Sequence, residues 1–240
     1  MDQLGREPRV TEALQDGLRL YHQGLYDQAL YFLEDIDPLE QPEAAYYQAL
    51  SYSKLQRAAE ALEALELVLV QETNLLKLVQ AKMIRAFLLT TEKRYVEAEQ
   101  ALGAMIGEGI ESVQVYSNYG YVLWALNRGN EGVAWLNKAL AKDPENSNAL
   151  NSMGYMLADQ GVLLDKALTF CLRALALRTD SSAYLDSVGW VYHKMGQDQQ
   201  ALTHLQKAAA AEPENLDYRI HLVEVERALG KVSLSEGRKP

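Results

Sequence analysis

The pattern that most restricts this chain returns about every 34 residues. In LDSVGWVYHKMGQDQQALTHLQKAAAAEPEN (185–215) a glycine interrupts an apolar run, a second glycine follows seven residues later, and an alanine-rich segment ends at a proline. A glycine inside a helix costs about 1 kcal/mol relative to alanine, so its presence needs a compensating reason. Counting Ser182 as position 1 puts Leu185 at 4, Gly189 at 8, Tyr192 at 11, Gly196 at 15, Ala201 at 20, Leu205 at 24, Ala208 at 27 and Pro213 at 32. The same register fits from Val10, Pro42, Val79, Val113 and Ser147, so the starts lie at 10, 42, 79, 113, 147 and 182, and a last partial unit opens at Leu216. Position 8 is then Gly17, Ala49, Ala86, Gly120, Gly154 and Gly189. Position 20 is Ala29, Ala61, Ala98, Gly132, Ala201 and, after one extra turn residue, Ala167. Val, Ile and Thr are sparse while Ala and Leu abound, a composition that favours helix over strand.

Six units near 34 residues with small residues at 8, 20 and 27 resemble the tetratricopeptide repeat family. YHQGLYDQAL (21–30) and YHKMGQDQQAL (192–202) are similar to that family's turn between two helices. The resemblance implies an all-α, right-handed α-solenoid of stacked antiparallel helix pairs over residues 10–230, closed by a capping helix at 216–230, with tails at 1–9 and 231–240. Positions 8 and 20 would face each other, where a large side chain would push the axes beyond the short end of the usual 8–10 Å range. Arg219, Glu224, Glu226 and Arg227 are expected to give the cap a wet outer face. Two units depart from the pattern and are expected to be irregular. The second has a polar Gln48 at position 7 and a longer exit loop around Glu72–Asn74, and the fourth has Gly132 at the usual alanine slot. No linker rich in Pro, Gly or Ser divides the chain, so one continuous domain is expected.

Charge and motif content narrow the function. Net charge is −10, from 23 basic and 33 acidic residues. An acidic chain without a basic stripe repels phosphate backbones, so no nucleic-acid partner is expected. The single cysteine, Cys171, cannot form an internal disulfide, falls at a core slot and reads as a buried apolar side chain. The four histidines form no HExxH, and there is no phosphate loop of the GxxxxGK[ST] type, so no metal, no cofactor and no enzyme activity are expected. His193 and His221 fall one repeat apart near the groove, which leaves an acid–base pair there as a minor reading. No apolar run approaches the roughly 20 residues of a membrane span. The polar start lacks the charged-then-apolar layout of a signal peptide, so a cytoplasmic location is expected. A bacterial periplasmic or membrane-anchored location is the alternative if a signal or lipidation segment has been removed.

In the tetratricopeptide family the first helices line a concave surface. The resemblance therefore places Tyr46, Tyr47, Met83, Phe87, Asn118, Tyr121, Trp124, Asn148, Asn151, Tyr155, Asp186, Trp190 and His193 on a partner-binding groove. Aromatic rings offer contact area at small entropic cost, and amide side chains pair with both N–H and C=O of an extended peptide. Position 5 carries no lysine, so the basic half of the family's carboxylate clamp is missing. The expected partner is a protein or peptide with apolar anchors and some basic residues, and self-association is left open. The function implied is a non-catalytic interaction scaffold or adaptor. A chaperone-like factor for an exported or envelope component is the alternative, and an enzyme with an unrecognised site a remote one. GYMLADQGVLLDKAL and AYLDSVGWVYHKMG resemble segments of large bacterial repeat proteins, which points to a bacterial assembly.

Overall fold

The structure is a computed structural model that describes residues 6–38 and 40–231, with side chains from Val10 onward. Every regular element among the described residues is an α-helix. They are α1 (Arg6–His22), α2 (Tyr26–Leu33), α3 (Pro42–Lys54), α4 (Ala58–Gln71), α5 (Leu75–Thr91), α6 (Tyr95–Gly107), α7 (Val113–Ala125), α8 (Gly129–Lys142), α9 (Ser147–Asp159), α10 (Leu164–Leu177), α11 (Ser182–Lys194), α12 (Asp198–Ala211) and α13 (Leu216–Ala228). The tails expected at 1–9 and 231–240 lie largely outside the described residues, although α1 already begins at Arg6.

The ends of the first helices show why each unit is a hairpin. At the end of α11 the Gln197 amide donates to the Tyr192 carbonyl (2.9 Å) and the Gly196 amide to that of His193 (2.8 Å). This pair of hydrogen bonds closes a helix through one left-handed residue, here Gly196 at φ 74°. Gln56, Lys93 and Asn127 hold the same conformation at φ 60°, 58° and 62° in the second, third and fourth units. The turn is therefore imposed by the packing of the two helices, with glycine where the sequence supplies it.

Close approach explains the glycines at position 8. A Cβ on Gly189 would lie 2.6 Å from Leu205 Cγ and 3.1 Å from the Ala201 carbonyl oxygen. On Gly154 it would meet Cys171 Sγ at 2.4 Å. The fourth unit corrects the expectation of irregularity. A Cβ on Gly132 would lie 2.5 Å from the Gly120 oxygen, and one on Gly120 2.9 Å from the Gly132 oxygen. Two facing glycines thus make α7–α8 a backbone-to-backbone contact. The second unit corrects it as well. Its exit loop is only Glu72–Asn74, because the extra residues extend α5, whose first amides at Leu76 and Lys77 donate to Asn74 Oδ1 (3.0 and 3.2 Å). Gln48 is absorbed by donating from Nε2 to the Leu33 carbonyl.

The chain forms two compact units, one up to Ile110 and one from Glu111. In the first, hairpins α1–α2, α3–α4 and α5–α6 pack with α1, α3 and α5 as neighbours, around Leu33, Leu65, Leu89 and Leu102. In the second, α7, α9, α11 and α13 lie side by side with α8, α10 and α12 behind them, around Leu123, Leu136, Leu150 and Leu205. The cap α13 buries Tyr218, His221 and Val225. Its outer face is less wet than expected: Arg219, Glu224 and Arg227 are exposed, but so are Leu216 (65%) and Ile220 (60%), and Glu226 is half-buried.

Candidate partner-binding face

In the second unit the first helices bring a run of rings together. Tyr121 and Trp124, one turn apart on α7, have centroids 5.5 Å apart. Trp124 meets Tyr155 of α9 edge-on at 5.3 Å, and Tyr155 lies 6.2 Å from His221 of α13. His221 stacks on Trp190 of α11 at 4.1 Å with planes 21° apart, and Trp190 reaches His193 at 5.3 Å. Tyr121, Trp124 and Tyr155 are half-buried, so each keeps part of its surface in water. Asn118 is half-buried on α7. Asn148 is exposed on α9 but accepts a hydrogen bond from the Tyr184 hydroxyl. Asn151, also on α9, has its Oδ1 buried without a hydrogen-bond donor.

Two residues placed in the groove by register are interior. Trp190 is 6% exposed and Asp186 4%. Both lie under α13, and position along a helix does not reveal that a later helix covers it. The Trp190 Nε1 is buried without an acceptor, and Lys194 Nζ sits 4.3 Å from its ring centroid. Asp186 meets His221 Nδ1 with both carboxylate oxygens, at 3.0 and 2.9 Å. Burial pushes the Asp186 carboxyl up from its ordinary range, while His221 pulls it back and Asp217 pushes it further up. His193 places Nδ1 2.6 Å from Asp198 Oδ1 and Nε2 3.5 Å from Glu224 Oε1. His221, which the register places near the groove one repeat from His193, and Glu224 complete this cluster from α13. The signal for them was the helical register of the final partial repeat.

In the first unit Tyr46 is also interior. Its hydroxyl donates to Gln80 Oε1 at 2.7 Å, and burial raises its pKa. Tyr47 is half-buried with its ring edge-on to Tyr21 at 5.1 Å. Met83 is half-buried and Phe87 stands 57% exposed, both on α5.

Cys171 is buried, and desolvation pushes its thiol up to about 12, far from a nucleophile's range. Among the described residues no three His, Cys, Asp or Glu side chains group to hold a metal ion. No described helix is long and apolar enough to cross a membrane.

No family model matches the chain. A curated relative, the TPR repeat-containing protein PA4667 of Pseudomonas aeruginosa, is 30% identical over 141 residues, which cover 57% of this chain and 23% of that protein. The chain thus corresponds to about a quarter of that relative's length. Among solved structures, PilW, described as a widely conserved type IV pilus biogenesis factor, aligns over 78% of this chain and 86% of its own at 23% identity and a TM-score of 0.60. A chain of the Cut9–Hcn1 hetero-tetramer of the APC/C aligns over 93% of this chain and 44% of its own at 16% identity and a TM-score of 0.70. At these identities the structural matches speak to fold alone. Repeat register, close-packed hairpins and these similarities give the described residues an all-α architecture of stacked helix hairpins like that of tetratricopeptide-repeat proteins.

Proposed function

We propose that the chain is a non-catalytic scaffold whose first-helix face in the second unit grips an extended segment of a partner protein within a bacterial assembly. The observation that carries this is the run Tyr121–Trp124–Tyr155, three part-exposed rings on two adjacent helices, each within 5.5 Å of the next. Such rings bury much area while losing few rotamers, which is why tyrosine and tryptophan dominate binding hot spots. Glu224 and Asp198 give the neighbouring end of the face an acidic rim, which suits a partner that combines apolar anchors with basic residues.

The test is affinity capture of partners from a bacterial lysate, followed by titration of the captured partner against the wild type and a Tyr121→Ala, Trp124→Ala, Tyr155→Ala variant. Trp190 is left intact because its removal would open the interior. The expected result is at least a 30-fold loss of affinity, with no loss for Tyr31→Ala, an exposed tyrosine on a second helix of the first unit. Equal affinity of wild type and triple variant would place binding on another surface. A partner captured only as an unfolded export precursor would turn the reading from scaffold to chaperone.

A further inference from the structure

Two carboxylate–imidazole contacts cross between α11 and α13 in opposite directions. Asp186 of α11 holds Nδ1 of His221 on α13 at 3.0 and 2.9 Å, and His193 of α11 holds Glu224 of α13 at 3.5 Å through Nε2. Trp190 lies between them, stacked on His221 and touching His193. The first pair is interior, with Asp186 4% and His221 9% exposed. When the imidazole carries a proton the pair is net neutral. When it does not, the junction buries a carboxylate against a neutral ring, and an uncompensated buried charge is strongly unfavourable.

Other charged or titratable groups face the junction from each packed element. From α11 comes Lys194, over the Trp190 ring. From α12 comes Asp198, on His193, and beyond its end Glu212 acts on Tyr218. From α13 come Asp217, Tyr218 and Glu224, and from α9 Tyr155. Three further carboxylates, Asp198, Glu212 and Asp217, and one lysine thus surround the two pairs. Docking also leaves the Trp190 Nε1 buried without an acceptor, which undocking would relieve.

We propose that α13 is a proton-operated cover over Trp190, held down by the His221–Asp186 and His193–Glu224 pairs when the imidazoles are protonated and released as pH rises. Release uncovers Trp190 beside Tyr155 and extends the partner-binding face. This regulatory role rests on the proposed function, whereas the proton-dependent docking of α13 does not. Because the buried Asp186 carboxylate is compensated only by a charged ring, docking of α13 is expected to strengthen as pH falls.

The experiment is amide hydrogen exchange of the full chain at about pH 6 and about pH 8, spanning the interval in which histidine as a class changes charge. Rates are corrected for the intrinsic pH dependence of exchange, and α9 serves as internal reference. Protection of α13 is expected to fall at least tenfold relative to α9 between the two values. An Asp186→Asn, His193→Gln variant, which keeps hydrogen-bonding side chains at both positions, is expected to show less than a twofold change. Wild-type protection that is constant or rises with pH overturns the proposal, and this holds even if the variant fails to fold. The same tenfold fall in a folded variant also overturns it. If α13 responds as expected but the Tyr121, Trp124 and Tyr155 substitutions leave partner affinity unchanged at both pH values, the cover stands and the assigned binding face falls.

Discussion

Single positions in this chain carry opposite strains that substitution can separate. Gly132 faces a backbone oxygen 2.5 Å from where a Cβ would sit, and backbone cannot swing aside as a side chain can. Gly132→Ala should therefore destabilise by about 1–3 kcal/mol, the usual range for overpacking a filled interior, read from the urea midpoint. An unchanged midpoint would mean that α7 and α8 slide apart without penalty. The turn residues have the reverse sign. Lys93 at φ 58° pays for a left-handed conformation that glycine adopts freely. Lys93→Gly should hold or raise stability, by up to about 1 kcal/mol once the greater freedom of the unfolded glycine is offset, whereas Gly196→Ala should lower it by a similar amount. The Cys171 thiol, pushed up to about 12 by burial, should resist a thiol-specific reagent at neutral pH in the native protein and react at once in denaturant. Rapid native labelling would show that the α9–α10 contact opens readily.

Elements divide cleanly into what the pattern made legible and what it did not. Helices α3, α7, α9, α11 and α13 start at Pro42, Val113, Ser147, Ser182 and Leu216, where the register of small residues places them, because close approach of two helices demands small side chains at fixed spacing. The four-residue extension of α5 was not legible. The segment LLKL is apolar without a clear period, and the informative residue was Asn74, whose side chain caps the helix. The face of α11 was only half legible. Register assigns Asp186 and Trp190 to one side of the helix, but their burial depends on α13, more than 30 residues later in the chain. That burial has a measurable consequence. The folded state raises the Asp186 carboxyl above its ordinary 3.8, so it binds that proton more tightly than the unfolded chain does. The resulting stabilisation is complete below 3.8 and is lost as pH rises through the raised value. Urea midpoints of wild type minus Asp186→Asn should therefore decline as pH rises from about 4 through that interval. A difference that grows with pH would mean that the His221 contact outweighs desolvation.

At the scale of the whole molecule, repeat packing makes stability local. Within each unit a hairpin touches only its neighbours, so a defect is felt through a chain of interfaces rather than throughout one core. The division into a unit up to Ile110 and a unit from Glu111 sharpens this. Leu65 and Leu205 occupy the same repeat position in the two units, and both are fully buried. Truncating either to alanine should cost about 2–5 kcal/mol, as for other buried leucines. The consequence should differ by location. Leu65→Ala should accelerate amide exchange in α3–α5 by tenfold or more and leave α11 and α12 within about twofold of wild type, with Leu205→Ala doing the reverse. The functional corollary follows from where the rings lie. Tyr121, Trp124 and Tyr155 all belong to the second unit, so Leu65→Ala should spare partner affinity at temperatures where the first unit already exchanges freely, and Leu205→Ala should not. If either truncation speeds exchange evenly from α1 to α13, the two units unfold as one cooperative body, and the binding face depends on the whole array rather than on the unit that carries it.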